Sequence, residues 1–236
     1  RRALGEPVAY LTGIQEFMGL PFRVTPDVLI PRPETELLVE NVLEHLKRRE
    51  LLKPDRRLLA ADIGTGSGCI AVSLAVLQPR LRIVAVDIST KALDVARRNC
   101  RLHAVEEQVV FLQGDLLAPV ETWMRTQTDA DEGLDAIVSN PPYITGAEME
   151  NLTSSVVDYE PLTALAGGPE GLDFYHRIIG SAPVLLRPGG LLAVEIGCGQ
   201  GEAVSALMKR SGLQQVQVLT DLAERHRVVL GIAGMR

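Results

Sequence analysis

The amino-acid sequence predicts an α/β fold in which parallel strands form a doubly wound sheet. Short apolar runs, typical of buried strands, alternate with segments of helical periodicity over most of the 236 residues. A glycine-rich turn follows the first of these runs and precedes a helix. Alternation of this kind needs crossover connections, which place helices on both faces of a parallel sheet.

The N-terminal part has a different pattern. Residues 14–30 mix aromatic and β-branched residues around Gly19 and Pro21, which predicts a β-hairpin. The Pro-Arg-Pro sequence that begins at Pro31 ends this extended segment, and the acidic residues after it suit the first turn of a helix. The apolar spacing that follows predicts an amphipathic helix over residues 34–49.

Strands and helices are expected to alternate through the rest of the chain. The predicted strands are 58–63, 82–88, 109–112, 134–139, 191–196, 214–220 and 226–232. The predicted helices are 69–77, 90–103, 171–186 and 201–211. The polar stretch 121–133 is interpreted as a surface helix or loop. Residues 145–170 are interpreted as a long connection, and connections of this length are usually functional.

Composition excludes several classes of protein. The net charge of −6 disfavours non-specific binding to a phosphate backbone, so we expect no direct nucleic-acid binding. No apolar run approaches the roughly 20 residues needed to cross a bilayer, so we expect no membrane association. Cys69, Cys100 and Cys198 are isolated, which predicts neither disulfides nor a metal site and suits a reducing compartment. Because the sequence starts at Arg1, we expect it to lack its natural beginning.

The turn after the first predicted strand carries glycine at every second position. Its glycines are Gly64, Gly66 and Gly68, and the turn also contains Asp62 and Thr65. Glycine allows a tight turn and lets a ligand lie against the backbone. The GxGxG spacing differs from the GxGxxG of dinucleotide-binding folds. It favours a nucleotide-like cofactor, and a glycine-rich turn without a ligand is the alternative.

Acidic residues end the next two predicted strands. Asp87 lies where a carboxylate can accept both ribose hydroxyls. Asp115 lies where it can reach an adenine amino group. Each alone would be an ordinary exposed acid, but together with the glycine turn they indicate one adenosine-containing ligand. Their neighbours Ile88 and Leu116 are included among the candidate binding residues.

A second GxGxG sequence, residues 197–201, follows a later predicted strand and is preceded by Glu195. No acid follows it at the ribose spacing, and little chain remains to build a second cofactor site. We therefore expect a structural turn. A position for Glu195 beside the site, on a neighbouring strand, stays open.

The sequence Asn140-Pro141-Pro142-Tyr143 follows the fourth predicted strand of this alternation. Amide and exocyclic amino nitrogens are poor nucleophiles because their lone pair is delocalised. The Asn140 side-chain oxygen and the Pro141 carbonyl can accept both N–H hydrogens of such a nitrogen, while the prolines fix the turn. Tyr143 can then lie on the flat face of the amide or base. The alternative is a rigid turn in which Tyr143 only packs locally.

These motifs resemble those of class I methyltransferases that act on nitrogen, and the N-terminal residues narrow the resemblance. Residues 5–13 (GEPVAYLTG), Glu16 with Phe17, and residues 29–36 (LIPRPETE) are similar to those of the HemK/PrmC proteins, the peptide chain release factor N5-glutamine methyltransferases. Residues 167–172 and 195–197 also fit, so the resemblance extends over nearly the whole chain.

The resemblance implies a doubly wound, seven-stranded, Rossmann-like sheet whose last strand is antiparallel, preceded by the hairpin. It implies S-adenosylmethionine as cofactor and S-adenosylhomocysteine as product. Gly64, Gly66 and Gly68 would face the methionine part of the cofactor. Asp87 would face its ribose, and Asp115 the adenine side.

The resemblance also implies the substrate, which is the glutamine of the GGQ tripeptide in class I peptide chain release factors, methylated on its side-chain nitrogen. Asn140 and Pro141 would hold the glutamine amide, next to Pro142, with Tyr143 packing beside it. Asn140 would thereby lie next to the cofactor as well, and Thr35 would close over the cofactor.

Domain boundaries and location follow from the same resemblance. Residues 1–31 would be a hairpin linker that follows a helical N-terminal domain missing here, and residues 32–236 the methyltransferase domain. We expect a monomer in the cytoplasm, or in the mitochondrial matrix for an organellar protein. Three alternatives stay open. They are methylation of a ribosomal-protein glutamine, DNA adenine-N6 methylation, which would require base flipping and a basic recognition region, and a cofactor sensor without activity.

Overall fold

The computed structural model describes residues 1–52, 54–127 and 133–234. The strands are β1 Ile14–Phe17, β2 Leu20–Arg23, β3 Leu58–Ile63, β4 Leu81–Asp87, β5 Val109–Gln113, β6 Leu134–Ser139, β7 Leu186–Glu195, β8 Gln214–Thr220 and β9 His226–Ile232. The α-helices are α1 Val8–Thr12, α2 Glu34–Leu52, α3 Cys69–Leu77, α4 Thr90–Leu102, α5 Ala118–Met124, α6 Gly146–Met149, α7 Ser154–Val157, α8 Asp173–Leu185 and α9 Gly201–Arg210. None of the described helices is both long enough and apolar enough to span a bilayer.

Seven strands form one sheet in the order β5-β4-β3-β6-β7-β9-β8. Neighbouring strands from β5 to β7 are parallel, whereas β9 is antiparallel to both β7 and β8. This confirms the predicted doubly wound sheet with an antiparallel last strand. The chain leaves β3 toward β4 on one side and returns to β6 on the other. The carboxyl ends of β3, β4 and β6 therefore flank the crevice where ligands bind in such sheets.

Helices cover both faces of the sheet because the central strands are apolar on both sides. All six residues of β3 and all six of β6 are buried. Along β3, Leu58 and Ala60 pack in the cluster that contains residues of α2 and α3, while Leu59 and Ala61 pack in the cluster that contains residues of α8 and α9. Alternate strand residues thus face opposite helix layers, as expected for a buried parallel sheet.

The predicted hairpin is present but shorter than the segment from which it was predicted. Its strands end at Arg23, because the chain then turns to bury Val24, Val28 and Ile30 against α4. Asn99 of α4 holds the end of the hairpin. Its Oδ1 accepts the Arg23 N–H at 2.7 Å, and its Nδ2 donates to the carbonyl oxygens of Arg23 and Ser67.

Several other bounds differ from the prediction. Helix α2 ends at Leu52 instead of residue 49, α8 begins at Asp173 instead of residue 171, and β4, β5, α4 and α9 differ by one residue at one or both ends. Strand β7 begins at Leu186, five residues before the predicted 191–196, because Leu186 pairs with Leu134 before a register shift. The connection 145–170 contains α6, α7 and a 3-10 turn at Leu162–Ala164. The polar stretch 121–133 continues α5, and its residues 128–132 lie outside the described residues.

Candidate active site

A cavity of about 730 Å³ lies at the carboxyl ends of β3, β4 and β6. Its volume is within the range of about 300 to 1,000 Å³ that is usual for small-molecule sites. Most of the predicted site residues line it, namely Thr35, Gly64, Thr65, Gly66, Asp87, Ile88, Asp115, Leu116, Asn140, Pro141 and Pro142. The structure therefore brings residues of five separate segments to one cavity. The predicted residues Asp62, Gly68 and Tyr143 are not part of its wall.

The first glycine turn forms the floor of the cavity. The N–H groups of Gly64 and Thr65 both donate to the Val86 carbonyl at 2.9 Å, which ties the turn to β4. Gly64 and Gly66 have φ values of 73° and 55°, a left-handed conformation that favours glycine. A Cβ on Gly64 would meet no atom within 4 Å. The backbone is therefore open to a ligand at this point.

Asp62 supports the turn from below. Its side chain is fully buried, and its Oδ2 accepts the Thr65 hydroxyl at 2.6 Å and the Ala71 N–H at 3.2 Å. Burial raises the pKa of Asp62 to about 7, although these two hydrogen bonds oppose the rise. Gly68 has a packing role, since a Cβ there would lie 3.0 Å from the Ala96 Cβ of α4. Both residues shape the turn without facing the cavity.

Asp87 is held firmly on the cavity wall. Its Oδ2 accepts the Gly66 N–H at 2.8 Å and its Oδ1 accepts the Ser89 N–H at 2.9 Å. Burial raises the pKa of Asp87, and the backbone hydrogen bonds oppose that rise. Each carboxylate oxygen still has accepting capacity, so the group can bind a pair of adjacent hydroxyls. Ile88 beside it is apolar yet 65% exposed, which suits contact with a flat ligand surface.

Asp115 lies at the cavity wall in an ion pair with Arg177 of α8. Both side chains are about half exposed, and pairs of this kind contribute little to stability, roughly 0 to 1 kcal/mol. A ligand that binds Asp115 or Arg177 can therefore replace this ion pair at a small cost in free energy. Arg177 was not among the predicted residues. No local pattern in α8 marks it, because its contact with Asp115 joins positions 62 residues apart.

Asn140 and the two prolines form the opposite wall. The Asn140 side-chain nitrogen donates to the Thr35 hydroxyl oxygen at 3.2 Å. Thr35 lies in the first turn of α2 and is only 2% exposed, so this contact is shielded from bulk water. With its nitrogen occupied, the Asn140 amide has its oxygen available as an acceptor.

Tyr143 extends from the cavity toward the second glycine turn. Its carbonyl oxygen accepts the Gln200 Nε2 at 3.0 Å, and its ring lies close to Gly197. Burial raises the pKa of its hydroxyl. The structure therefore anchors the backbone of Tyr143 in the turn after β7.

Sequence reasoning missed several lining residues from the connection 145–170 and from the segment before α2. Residues Pro161, Leu162, Thr163 and Ala164 line the cavity, as does Arg32. The Arg32 Nη2 donates to the buried Glu160 carboxylate at 2.6 Å, which joins these two segments. The sequence features that pointed to these two segments are the Pro-Arg-Pro sequence before α2 and the length of the connection 145–170. Neither feature indicates that the two segments are in contact.

Comparisons with known proteins agree with this geometry. Residues 34–160 match the family model described as the methyltransferase small domain. A release factor glutamine methyltransferase from Moorella thermoacetica is 50% identical over 231 residues, which cover 98% of this chain and 76% of that protein. A protein of the same name from Geobacter sulfurreducens is 43% identical over 234 residues, covering 99% and 76%.

Solved structures show the same fold at low sequence identity. A methyltransferase from Pyrococcus furiosus has a TM-score of 0.59 at 17% identity and covers 99% of this chain and 96% of its own. The N-terminal domain of human METTL16, in complex with SAH, has a TM-score of 0.63 at 18% identity, covering 100% and 82%. Identity of 40% or more over nearly the whole chain is the stronger finding. The chain is an enzyme and belongs to the release factor glutamine methyltransferase family.

Proposed function

We propose that this enzyme transfers the methyl group of S-adenosylmethionine to the side-chain amide nitrogen, N5, of the GGQ glutamine in class I peptide chain release factors. The observation that carries the proposal is that Asn140 and Pro141 line the same cavity as Gly66 and Asp87. The two groups proposed to accept the N–H hydrogens of an amide thus lie in the same cavity as the residues proposed to bind an adenosine-containing cofactor. The names of the relatives support a release factor glutamine as the substrate.

The residues present fit S-adenosylmethionine. Gly64 and Gly66 leave open backbone for its methionine part, and Asp87 offers a fixed carboxylate for its ribose hydroxyls. Ile88 and Leu116 offer apolar surface near Asp115 for the adenine. When bound, the cofactor supplies a methyl group on a positively charged sulfur, which is already a good electrophile. No strong general base is therefore required of the protein.

The protein's contribution is to orient the amide. The Asn140 oxygen and the Pro141 carbonyl accept the two N–H hydrogens of the glutamine, which favours pyramidalisation and turns the nitrogen lone pair toward the methyl carbon. Tyr143 is proposed to pack beside the amide, and Thr35 to close over the cofactor. Methyl transfer from the bound cofactor would form the nitrogen–carbon bond as the carbon–sulfur bond breaks, and the proton that the nitrogen loses would go to water. Alignment and fixed dipoles supply the rate enhancement.

The two alternative substrates are less well supported. The relatives' names specify a release factor glutamine, not a ribosomal protein. A DNA adenine would require a basic surface, whereas the chain has a net charge of −6. We also propose a cytoplasmic monomer without direct nucleic-acid binding. Residues 1–31 are proposed as the linker and 32–236 as the methyltransferase domain, in keeping with a family match that starts at residue 34.

Transfer of labelled methyl to a purified class I release factor tests the proposal. The matched control is the same release factor with the GGQ glutamine changed to alanine. We expect label on the first and none on the second. Equal labelling of both would show a different acceptor residue. No label on either, with cofactor binding demonstrated, would contradict the proposed substrate.

A further inference from the structure

Glu195 is a buried carboxyl group next to Asn140. It ends β7, and the pairing of Ser139 with Val194 in the adjacent strand places Glu195 beside Asn140. Its side chain is only 2% exposed, and its Oε2 has no hydrogen-bond partner among the described residues. A buried carboxylate is costly unless polar groups compensate for it. Its position beside Asn140 therefore needs an explanation.

Thr35 connects the two side chains. Its hydroxyl oxygen accepts the Asn140 Nδ2 at 3.2 Å, and a hydroxyl has one hydrogen left to donate. The side chains of Thr35 and Asn140 are the groups whose hydrogen bonding stabilises the ionised form of Glu195. Donation from Thr35 to Glu195 would satisfy the Thr35 hydroxyl and the Glu195 carboxylate while Thr35 still accepts from Asn140.

We propose that Glu195 is a positioning residue for the reaction proposed above, on which this inference rests, and that it acts through Thr35 to fix the orientation of the Asn140 amide. The two orientations of an asparagine amide, related by a 180° rotation, are nearly equal in shape. Only one of them presents an oxygen to the substrate N–H. With its hydroxyl hydrogen given to Glu195, Thr35 can only accept from Asn140, so the Asn140 oxygen is left for the substrate.

The arrangement depends on the charge of Glu195. Burial raises its pKa to about 7, helped by Glu34 and opposed by Thr35, Arg227 and Asn140. The other titratable groups that face it are Tyr143 of the adjacent loop, Tyr175 of α8 and Cys69 of α3. A protonated Glu195 carboxyl group would itself donate a hydrogen bond, which competes with the donation from Thr35 to Glu195. We therefore expect turnover to rise with pH through about 7.

The substitution Glu195→Gln tests the proposal because it keeps the shape and removes the charge. In the full-length enzyme, kcat should fall by about 10- to 100-fold, since small misplacements of an aligned group have effects of this size. The Kd for S-adenosylmethionine should change by less than about threefold, and the rise of kcat with pH should disappear. Thr35→Val should reproduce the loss, and Thr35→Ser should largely restore activity. The double variant Glu195→Gln with Thr35→Val should be no worse than either single variant.

Asp135→Asn is the matched control. Asp135 is also a fully buried carboxylate, but it lies near the opposite end of β6 in contact with Arg49, Arg56 and Arg187. The Asp135→Asn variant should have a lower Tm than the wild type, and its kcat should be unchanged at temperatures below the melting range. Wild-type kcat in Glu195→Gln, or equal loss of kcat and cofactor binding, would overturn the proposal.

A readout without turnover separates this inference from the proposed function. The side-chain N–H resonances of Asn140, assigned by their absence in Asn140→Ser, should shift in Glu195→Gln. Unchanged resonances would overturn the inference even where the wild-type enzyme methylates release factor. Shifted resonances in an enzyme whose wild type does not label release factor would support the positioning role and contradict only the substrate.

Discussion

Two turns of this protein share one sequence pattern but have different roles in the structure. Asp62-Ile63-Gly64-Thr65-Gly66-Ser67-Gly68 and Glu195-Ile196-Gly197-Cys198-Gly199-Gln200-Gly201 each place an acid and an isoleucine before GxGxG at the end of a parallel strand. The first turn lines the cavity. None of the glycines of the second turn does so.

The glycines are needed for different reasons. All three in the first turn have positive φ, whereas none in the second does. In the second turn a Cβ on Gly201 would lie 2.6 Å from the His226 Nδ1, and one on Gly197 would lie 3.1 Å from the Gln200 Oε1. The first turn thus needs glycine for its backbone conformation, whereas the second needs it only at Gly197 and Gly201, for close packing. A shared spacing therefore does not imply a shared function.

The acidic residues that precede the two turns, Asp62 and Glu195, also differ in the parts of the protein that they contact. Asp62 accepts hydrogen bonds from Thr65 and Ala71, which belong to its own turn and helix. Glu195 faces Thr35 and Asn140, which belong to other elements. The difference follows from sheet order, because β7 lies beside β6 and its acid reaches the residues that follow β6.

The largest expected effect lies between the two turns, at Asn140. Asn140→Ala removes the acceptor for the substrate amide, so kcat should fall by about 100-fold or more. The cofactor Kd should stay within about threefold, because the first turn and Asp87 are unchanged. Steady-state kinetics with isothermal titration calorimetry would measure both. Equal losses of turnover and binding would show that Asn140 is structural.

The acid of the first turn should affect stability as a function of pH. Asp62 titrates near 3.8 when unfolded and at about 7 when folded, so its contribution is present below about pH 4 and is lost as pH rises toward 7. The variant Asp62→Asn lacks this loss. Relative to wild type, the free energy of unfolding of this variant should therefore increase by on the order of 4 kcal/mol between pH 4 and 8, since each unit of pKa shift corresponds to about 1.4 kcal/mol. Urea denaturation at several pH values would measure it. A constant difference would mean that Asp62 does not titrate as described.

Matched alanine substitutions compare the middle glycines of the two turns. Gly66→Ala requires φ near 55° in a residue with a Cβ, and the methyl group enters the cavity. The cofactor Kd should rise about tenfold because the methyl group takes up space beside the ligand, and overpacking of this kind costs about 1 to 3 kcal/mol. The strain of roughly 1 to 2 kcal/mol in this conformation should lower the unfolding free energy instead. Gly199→Ala is the control, because its Cβ would meet no atom within 4 Å and its φ is not positive. Similar Kd values for the two variants would contradict the assignment of cofactor binding to the first turn alone.

The smallest effect is expected at the end of the second turn. Gly201→Ala places a Cβ 2.6 Å from the His226 ring and 3.1 Å from the Val218 side chain. The unfolding free energy should fall by about 1 kcal/mol while the cofactor Kd is unchanged. His226 is exposed and able to shift, which keeps the effect modest. A weakened cofactor affinity in this variant would give the second turn a role in binding.

Local sequence patterns were enough to predict the fold class and the order, along the chain, of the strands that form the main sheet. Short apolar runs and the turn residues between them are local features, so the strands β3, β6, β8 and β9 and the helix α3 lie where these features predicted them. The glycine turn, Asp87 and Asn140 were predictable as candidate site residues for a related reason. The carboxyl ends of parallel strands meet at one edge of a sheet, whatever their separation along the chain.

Which side chains meet across that edge depends on the folded chain as a whole. The contact between Thr35 and Asn140 joins residues 105 positions apart, and the pair of Arg177 with Asp115 joins residues 62 apart. The early start of β7 and the short hairpin likewise depend on pairing with β6 and packing on α4. Such contacts depend on strand order, register and helix packing, which no local pattern encodes. For the same reason, two identical glycine spacings became a cavity floor and a packed turn.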